Sequence, residues 1–419
     1  MAQLTPTEEN KKKTSSGKAV GPQRNPVFFT LAYNALKLWF ALSGIRVVVT
    51  KQPEQKPKGP CIVLCNHGSF VDFFFAGKLL EGVDFRFVTA RLYFYHKWLA
   101  KALRMVGCFP KSMFAVDLES TKNCLRVLQS GGVLAMMPEA RLSTAGRFED
   151  IQDNTWSFLK KAGVPVYTIC FRGDYFADPK WGSGFRRGAV VEGEMTRLLE
   201  PEALASMTTE EIATAVEKAL YYDEFAWLET RPKQVYKSRR LAEGLANILT
   251  RCPKCGKKYT LETKGRQLRC SSCGLETRLD DRYGFAEDAP FANLSLWYDW
   301  QRKALAQEIA SDPDYRLEAK VTLRHADPTG KHLTAEAGRG VCVLNRQGLT
   351  YTGTRNGEET TLHFPLRQVY RLLFGAGENF ELYQGTQIFY FVPEEKRSCV
   401  DWYMASGILY DMVFPKETE

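Results

Sequence analysis

Along residues 26–235, short apolar runs alternate with stretches whose apolar positions recur at helical spacing, which predicts an α/β domain: a β-sheet flanked by helices. A helix begins near Phe28, and strands follow at Ile45–Thr50 and Cys61–Cys65, the second free of charge and preceded by the breakers Pro57, Gly59 and Pro60. Helical patterns cover Ser69–Leu80, Leu92–Leu103, Leu118–Leu128 (stopped by Gly131-Gly132), Thr155–Ala162, Glu210–Ala219 and Arg239–Leu249. Strand patterns lie between them at Phe85–Thr89, Val106–Phe109, Val133–Met137, Val164–Phe171 and Ala189–Glu192. Further on, a Trp- and Tyr-bearing helix over Phe291–Ala310 precedes a β-rich region. Its runs are Leu317–Leu323, Val341–Leu344, Leu349–Thr352, Thr360–Phe364, Val369–Phe374, Phe380–Tyr383 and Ile388–Val392, with an amphipathic helix over Val400–Val413 to close them. Asn345-Arg346-Gln347-Gly348 reads as a hairpin loop.

With 419 residues the chain exceeds one small core, and the pattern divides it into residues 1–25, 26–235, 236–285 and 286–419. The first segment is polar, carries Lys11-Lys12-Lys13, and is expected to be a disordered basic tail. Charged residues at 25 % and hydrophobic ones at 44 % suit a globular protein, and the net charge of +9 points to an anionic partner, a membrane surface or nucleic acid. No run reaches the ~18 apolar residues of a transmembrane helix. Pro26–Val49 instead combines Phe28, Phe29, Leu38, Trp39, Phe40 and Leu42 with Lys37 and Arg46, which predicts a helix lying in a membrane interface, the alternative being a buried helix. Arg86, Arg91, Lys97, Lys101, Arg104 and Lys111, interleaved with aromatics and free of acids, could touch headgroups or gather a phosphorylated ligand; the plainer reading is a solvated helix face with a core side. Together these predict peripheral attachment to the cytoplasmic face of a membrane.

Eleven cysteines without a secretory signal indicate a reducing compartment. Cys252-Pro253-Lys254-Cys255-Gly256 and Cys270-Ser271-Ser272-Cys273-Gly274 are two Cys-x2-Cys knuckles at zinc-ribbon spacing. Four thiolates would close a tetrahedron around one zinc ion and leave no position for water, so the expected metal is structural. The nearby Lys254, Lys257, Lys258, Lys264, Arg266 and Arg269 are compatible with nucleic acid, but nothing aromatic and repetitive in the chain demands it.

The candidate chemistry sits where apolar strands end. Cys61–Cys65 runs into Asn66-His67-Gly68-Ser69-Phe70-Val71-Asp72, which puts His67 at a strand's C-terminal edge and Asp72 in the first turn of the next helix, with Gly68-Ser69 as turn and cap. From there the Asp72 carboxylate can hold one imidazole nitrogen and leave the other free as a base. Such a pair arises often by chance; a second strand ending in chemistry, Val133–Met137 into Pro138-Glu139-Ala140-Arg141-Leu142-Ser143, changes the odds.

Together the two blocks resemble the glycerolipid acyltransferases, whose lysophosphatidic acid acyltransferases carry Asn-His-x4-Asp and Pro-Glu-Gly-Thr-Arg-Ser blocks. Val164-Pro165-Val166 is similar to that family's fourth block; Gly107, Phe109 and Lys111 fit the second only loosely. The resemblance implies that His67 and Asp72 are catalytic, that Asn66, Ser69, Lys111, Glu139 and Arg141 bind substrate, and that acyl-CoA or acyl carrier protein is the donor. It implies an O-acyltransferase of phospholipid synthesis acting on a lysophospholipid or glycerol phosphate. Ala140, Arg141 and Leu142 depart from the family's Gly-Thr-Arg, so Arg141 is expected to face the acceptor phosphate only if the turn after Glu139 is rearranged; the alternative is a pairing with Glu139 or Glu149. A backbone N–H near Gly68 is the candidate oxyanion donor. The β-rich region with its closing helix resembles a pleckstrin-homology-like barrel in element order. A reading from another class is a non-catalytic lipid-binding or scaffold protein working through the ribbon and the β-rich domain.

Overall fold

The computed structural model describes residues 21–327 and 329–415. Residues 1–20 of the expected basic tail lie outside the described residues. Residues 21–25 are in place against the first domain: the Pro22 carbonyl accepts from Arg86 and the Asn25 N–H donates to Met105.

The first domain follows the α/β expectation, with most predicted elements present. Helix α1 (Pro26–Ser43) leads into β1 (Arg46–Lys51), β2 (Cys61–Cys65), α2 (Asp72–Leu79) and β3 (Phe85–Ala90). The helix expected over Leu92–Leu103 is broken at His96, whose extended backbone separates a 3-10 turn (Arg91–Tyr95) from α3 (Lys97–Met105). Then come β4 (Cys108–Lys111), α4 (Leu118–Gln129), β5 (Val133–Met136), α5 (Asn154–Ala162), β6 (Val166–Arg172), the single turn α6 (Asp174–Ala177) and β7 (Val190–Leu199). Helices α7 (Pro201–Ser206), α8 (Thr209–Leu220) and α9 (Glu224–Glu229) end this part. The strands form one mixed sheet in the order β1-β7-β6-β2-β5-β3-β4, parallel except where β7 runs against β6. β2 is central and fully buried, because both faces are covered by helices and no residue of Cys-Ile-Val-Leu-Cys needs water.

Arg239–Leu249 is not the expected helix. It is irregular, with one 3-10 turn at Leu245–Asn247, because Gly244 takes a left-handed backbone (φ 93°) and sits so close to the Trp181 carbonyl that a Cβ would lie 1.8 Å from it. The ribbon is a three-stranded sheet of β8 (Leu261–Lys264), β9 (Gln267–Cys270) and β10 (Glu276–Arg278). Arg282 fastens it to the first domain by donating to the Leu228 carbonyl in the last turn of α9 and to the Arg231 and Gln234 carbonyls just past it.

After α10 (Leu294–Ser311) comes an antiparallel sheet of seven strands: β11 (Leu317–His325), β12 (Gly338–Asn345), β13 (Gly348–Arg355), β14 (Glu358–Pro365), β15 (Leu373–Gly375), β16 (Asn379–Gln384) and β17 (Gln387–Pro393). Their order is β14-β13-β12-β11-β17-β16-β15, and α11 (Cys399–Val413) packs on them, with Trp402 stacked on Phe380 at 4.3 Å. This sheet does not stand apart. Phe40 of α1, Trp297 of α10 and Trp402 of α11 belong to one continuous buried cluster. Arg371 pairs with Asp150, Gln152 donates to the Tyr370 hydroxyl at 2.6 Å, and Tyr403 donates to Glu149 at 2.7 Å, so the C-terminal part grips the segment after β5.

Candidate active site

Three neighbouring parallel strands, β6, β2 and β5, end on the same edge of the sheet, and each delivers an ionisable residue there: Asp174 after β6, His67 after β2 and Glu139 after β5. Asp72, the first residue of α2, reaches back so that its Oδ2 stands 3.0 Å from His67 Nδ1. Asp72 is fully buried, while the imidazole keeps 21 % of its surface exposed and its Nε2 has no hydrogen-bond partner among the described residues. The geometry is that of a base with one nitrogen held and the other presented to a ligand.

The loop between strand and helix is pinned through its own backbone. The N–H of His67 donates to Glu139 Oε1 (2.9 Å), that of Gly68 to Asp174 Oδ2 (3.1 Å) and that of Ser69 to Asp72 Oδ2 (2.9 Å). Three consecutive donors thus go to three different buried carboxyls, and a Cβ on Gly68 would sit 2.4 Å from Asp174. The oxyanion donor expected near Gly68 is therefore not available: all three N–H groups are taken. The cap expectation also changes, since Val71 is the N-cap of α2 and Ser69 Oγ accepts from the Val71 N–H at 3.3 Å instead.

Of the residues expected to bind substrate, three are turned to structural work. Asn66 is buried and exchanges both ends of its amide with Phe171 of β6, at 3.0 and 2.6 Å. Ser69 is buried and occupied with Val71 and Asp72 as described. Glu139 is buried too, its carboxyl accepting from the His67 and Glu149 N–H groups and from the Tyr222 hydroxyl. Burial pushes its pKa up and the two N–H donors pull it back. Lys111 ends the edge strand β4, with β3 and β5 between it and β2.

Arg141 is also buried, its Nε 3.2 Å from Glu149 Oε2 and its guanidinium between the rings of Phe114 and Tyr403, at 5.5 and 5.6 Å. This is the local pairing weighed as the alternative in the sequence, although Nη1 keeps no partner. Ala140, where the family motif has glycine, takes a left-handed backbone (φ 57°), a conformation costing an L-residue on the order of 1 kcal/mol that glycine would avoid.

Four further residues belong to this site: Asp174, Glu149, Tyr403 and Lys180. Asp174 had a legible signal, because it follows the Val164–Phe171 strand just as His67 follows Cys61–Cys65. Lys180 lies in an irregular loop, and Tyr403 comes from a helix more than two hundred positions away, so neither had one. The Lys180 ammonium rests 3.5 Å from the centre of the Phe374 ring, and burial lowers it to about 7. Burial, and next the charge of Lys180, hold the His67 imidazole well below its usual range, so the ring is neutral near pH 7.

The four ribbon cysteines form the one cluster of possible metal ligands found among the described residues, their sulfurs all within 4.8 Å of one another. Cys252 and Cys273 Sγ stand 3.6 Å apart and Cys255 and Cys270 Sγ 3.8 Å, against about 3.8 Å for the edge of a tetrahedron with Zn–S bonds of about 2.3 Å. Gly256 and Gly274, both at left-handed φ (72° and 70°), turn the chain behind each knuckle. The remaining cysteines are buried and free, as core filling requires.

Residues 46–172 match the family model described as Acyltransferase. Over 116 residues the chain is 26% identical to 1-acyl-sn-glycerol-3-phosphate acyltransferase BAT2, chloroplastic, of Brassica napus, covering 27% of this chain and 33% of that one. Over 162 residues it is 24% identical to a probable 1-acyl-sn-glycerol-3-phosphate acyltransferase of Mycoplasma pneumoniae, covering 36% of this chain and 59% of that one. The chain thus spans a third to three fifths of the length of these curated relatives. The crystal structure of the 1-acyl-sn-glycerophosphate acyltransferase PlsC from Thermotoga maritima aligns with a TM-score of 0.37 at 19% identity, covering 49% of this chain and 81% of that one.

The electrostatics give a direct expectation. In an NMR titration His67 stays neutral well below the pH at which an ordinary imidazole charges, and Lys180→Met raises its pKa by removing a neighbouring positive charge. A His67 that titrates at or above the ordinary value, or is unmoved by Lys180→Met, contradicts this account.

Proposed function

We propose, for a chain that belongs to the lysophosphatidic acid acyltransferase-like acyltransferases through its residues 46–172, that it moves a fatty acyl group from acyl-CoA or acyl carrier protein to the hydroxyl of a lysophospholipid or glycerol-phosphate acceptor. The observation that carries this reading is the His67–Asp72 pair, with Nδ1 held at 3.0 Å and Nε2 open to the surface. A hydroxyl is almost un-ionised near neutral pH, so it needs a base as it attacks the thioester carbonyl. His67 Nε2 takes that proton; Asp72 fixes the tautomer and faces the imidazolium that forms. The proton then passes to the departing thiolate, and ester and thiol leave. The Lys180 ammonium, whose charge bears on His67, and the Arg141 guanidinium, whose Nη1 has no partner among the described residues, would meet the acceptor's phosphate.

Both donors assayed against lysophosphatidate, other lysolipids and glycerol phosphate test the proposal. His67→Ala should lower turnover by at least about a hundredfold while the protein stays folded. Arg141→Ala should raise the KM of a phosphorylated acceptor far more than that of the donor. An active His67→Ala protein sinks the mechanism, and a wild type that transfers with no pair leaves the lipid-binding alternative.

The membrane reading rests on α1. Val27, Leu31, Leu38 and Leu42 form one stripe along the helix and are 62–75 % exposed, while Phe40 on the other side is in the core. Among the described residues no helix is long and apolar enough to cross a membrane. We infer that this stripe, with the exposed Trp98 and Leu99 of α3, rests on the cytoplasmic face of a membrane. Leu31→Glu combined with Leu42→Glu should abolish sedimentation with anionic vesicles; unchanged binding removes α1 from the interface.

For the ribbon we propose one structural zinc held by Cys252, Cys255, Cys270 and Cys273, its role being folding free energy rather than chemistry. Elemental analysis should find about one zinc per chain, and chelation at raised temperature should lower the Tm. Metal-free protein with an unchanged Tm refutes it. The strand order of the C-terminal sheet and its closing helix support a pleckstrin-homology-like reading of that domain.

A further inference from the structure

Behind the imidazole lies a row of acids of which the acyl-transfer chemistry above uses only Asp72. Asp72, Asp174 and Glu224 have no exposed surface. Each has one oxygen accounted for by the backbone: Asp72 Oδ2 by Ser69, Asp174 Oδ2 by Gly68, and Glu224 Oε2 by Gly173 at 2.6 Å. The other oxygen of each, Asp72 Oδ1, Asp174 Oδ1 and Glu224 Oε1, has no hydrogen-bond donor among the described residues. These atoms are not isolated. Asp174 lies in the middle: its carboxyl takes the Gly68 N–H beside the Ser69 N–H that Asp72 takes, Glu224 takes the Gly173 N–H beside Asp174 itself, and Asp174 bears electrostatically on both.

Two carboxylates repel; they approach this closely only with a proton between them. Three carboxyls joined by two such contacts hold two protons and one negative charge. The surroundings agree. Arg172 is the cation that bears on Glu224, and the uncharged His67 ring touches Asp72. Glu139 adds a like charge from the side of β5. The other titratable neighbours, Cys65, Cys170, Tyr175, Tyr222 and Tyr236, are thiols and phenols that burial pushes up and so keeps neutral. Burial first, and then proximity to Asp174, raises Asp72 and Glu224; burial raises Asp174 too, but its contacts with Glu224 and Asp72 and the nearby backbone N–H groups pull it back down.

We propose that Asp174 and Glu224 are positioning residues which, with Asp72, form a shared acid of one negative charge and two protons, and that Asp174 governs how much of that charge faces His67. This rests on the reading of His67 as the base. When the imidazole is neutral, the charge sits mainly on the central Asp174, with protons on Asp72 Oδ1 and on Glu224. As His67 Nε2 takes the acceptor's proton, the proton on Asp72 Oδ1 crosses to Asp174, and the negative charge moves to Asp72 opposite the imidazolium. When His67 releases its proton to the thiolate, the shift reverses. Only O–H bonds are exchanged, and the trio ends as it began. Gly68, held by Asp174, keeps the catalytic loop in place throughout.

Asp174→Asn separates this role from a structural one, because asparagine keeps the shape, accepts from Gly68 and donates to Asp72, but can neither take a proton nor carry the charge. The charge is then confined to Asp72. The expected result is a His67 pKa raised by about one unit or more in an NMR titration, with the acid limb of the kcat/KM profile displaced to higher pH by the same amount. Glu224→Gln leaves the Asp72–Asp174 pair intact and should move His67 much less. Should Asp174→Asn fail to fold, the infrared spectrum of the wild type near pH 7 decides: buried carboxylic-acid C=O bands are expected, and their absence overturns the proposal. So does a His67 titration identical in wild type and Asp174→Asn. The titration needs no substrate, so a displaced His67 in a protein inactive in every assay would overturn the acyl-transfer reading alone, whereas normal turnover with an undisplaced titration would overturn the shared acid alone.

Discussion

Three consecutive backbone N–H groups, those of His67, Gly68 and Ser69, each end on a different buried carboxyl. That arrangement ties together parts of the chain that the sequence keeps far apart: the end of β2, the end of β5 through Glu139, the end of β6 through Asp174, and the start of α2 through Asp72. Buried carboxyls are costly unless their oxygens are satisfied, and buried N–H groups are equally intolerant, so each side fixes the other. A loop so held has little freedom to let the imidazole wander. The same bonding leaves none of these donors to receive a developing oxyanion.

The constraint spreads outward through Glu139. Its second oxygen takes the Glu149 N–H; the Glu149 side chain takes Arg141; and Tyr403, on the last helix, donates to Glu149. A continuous polar chain therefore runs from the His67 backbone to a residue of the C-terminal domain. Buried polar networks of this kind hold geometry well when every member is satisfied, and Arg141 Nη1 is the member that is not.

Much of this was legible in the sequence because it depends on local rules. Strand ends reveal chemistry in α/β sheets, so His67 and Glu139 stood out, and Cys-x2-Cys spacing revealed the sulfur cluster. Six of the seven C-terminal strands lie on the runs that mark them; the run Val369–Phe374 is mostly turn, and only Leu373–Gly375 pairs, with β16. What failed did so for tertiary reasons. Arg239–Leu249 has a helical pattern, but Gly244 must pass against the Trp181 carbonyl, and that approach dictates the backbone. Asn66, Ser69 and Glu139 sit on motif positions next to His67, and motif position alone does not tell a side chain that touches a ligand from one that holds the loop. Tyr403 comes close to the site only because the C-terminal part folds back over it, and Lys180 reaches it from an irregular loop between α6 and β7.

That folding back bears on how such proteins diversify. The motifs that mark the catalytic segment all fall within residues 46–172, which invites treating that stretch as a cassette exchangeable between relatives. Here the segment after β5 hands Glu149, Asp150 and Gln152 to Tyr403, Arg371 and Tyr370. A graft that carried the motifs alone would bring acids whose partners stay behind in the donor chain. Inheritance of this site must therefore be read from both ends of the polypeptide: lineages that keep the blocks but change the last helix should have altered Glu149, and those that change Tyr370 and Arg371 should have altered Gln152 and Asp150.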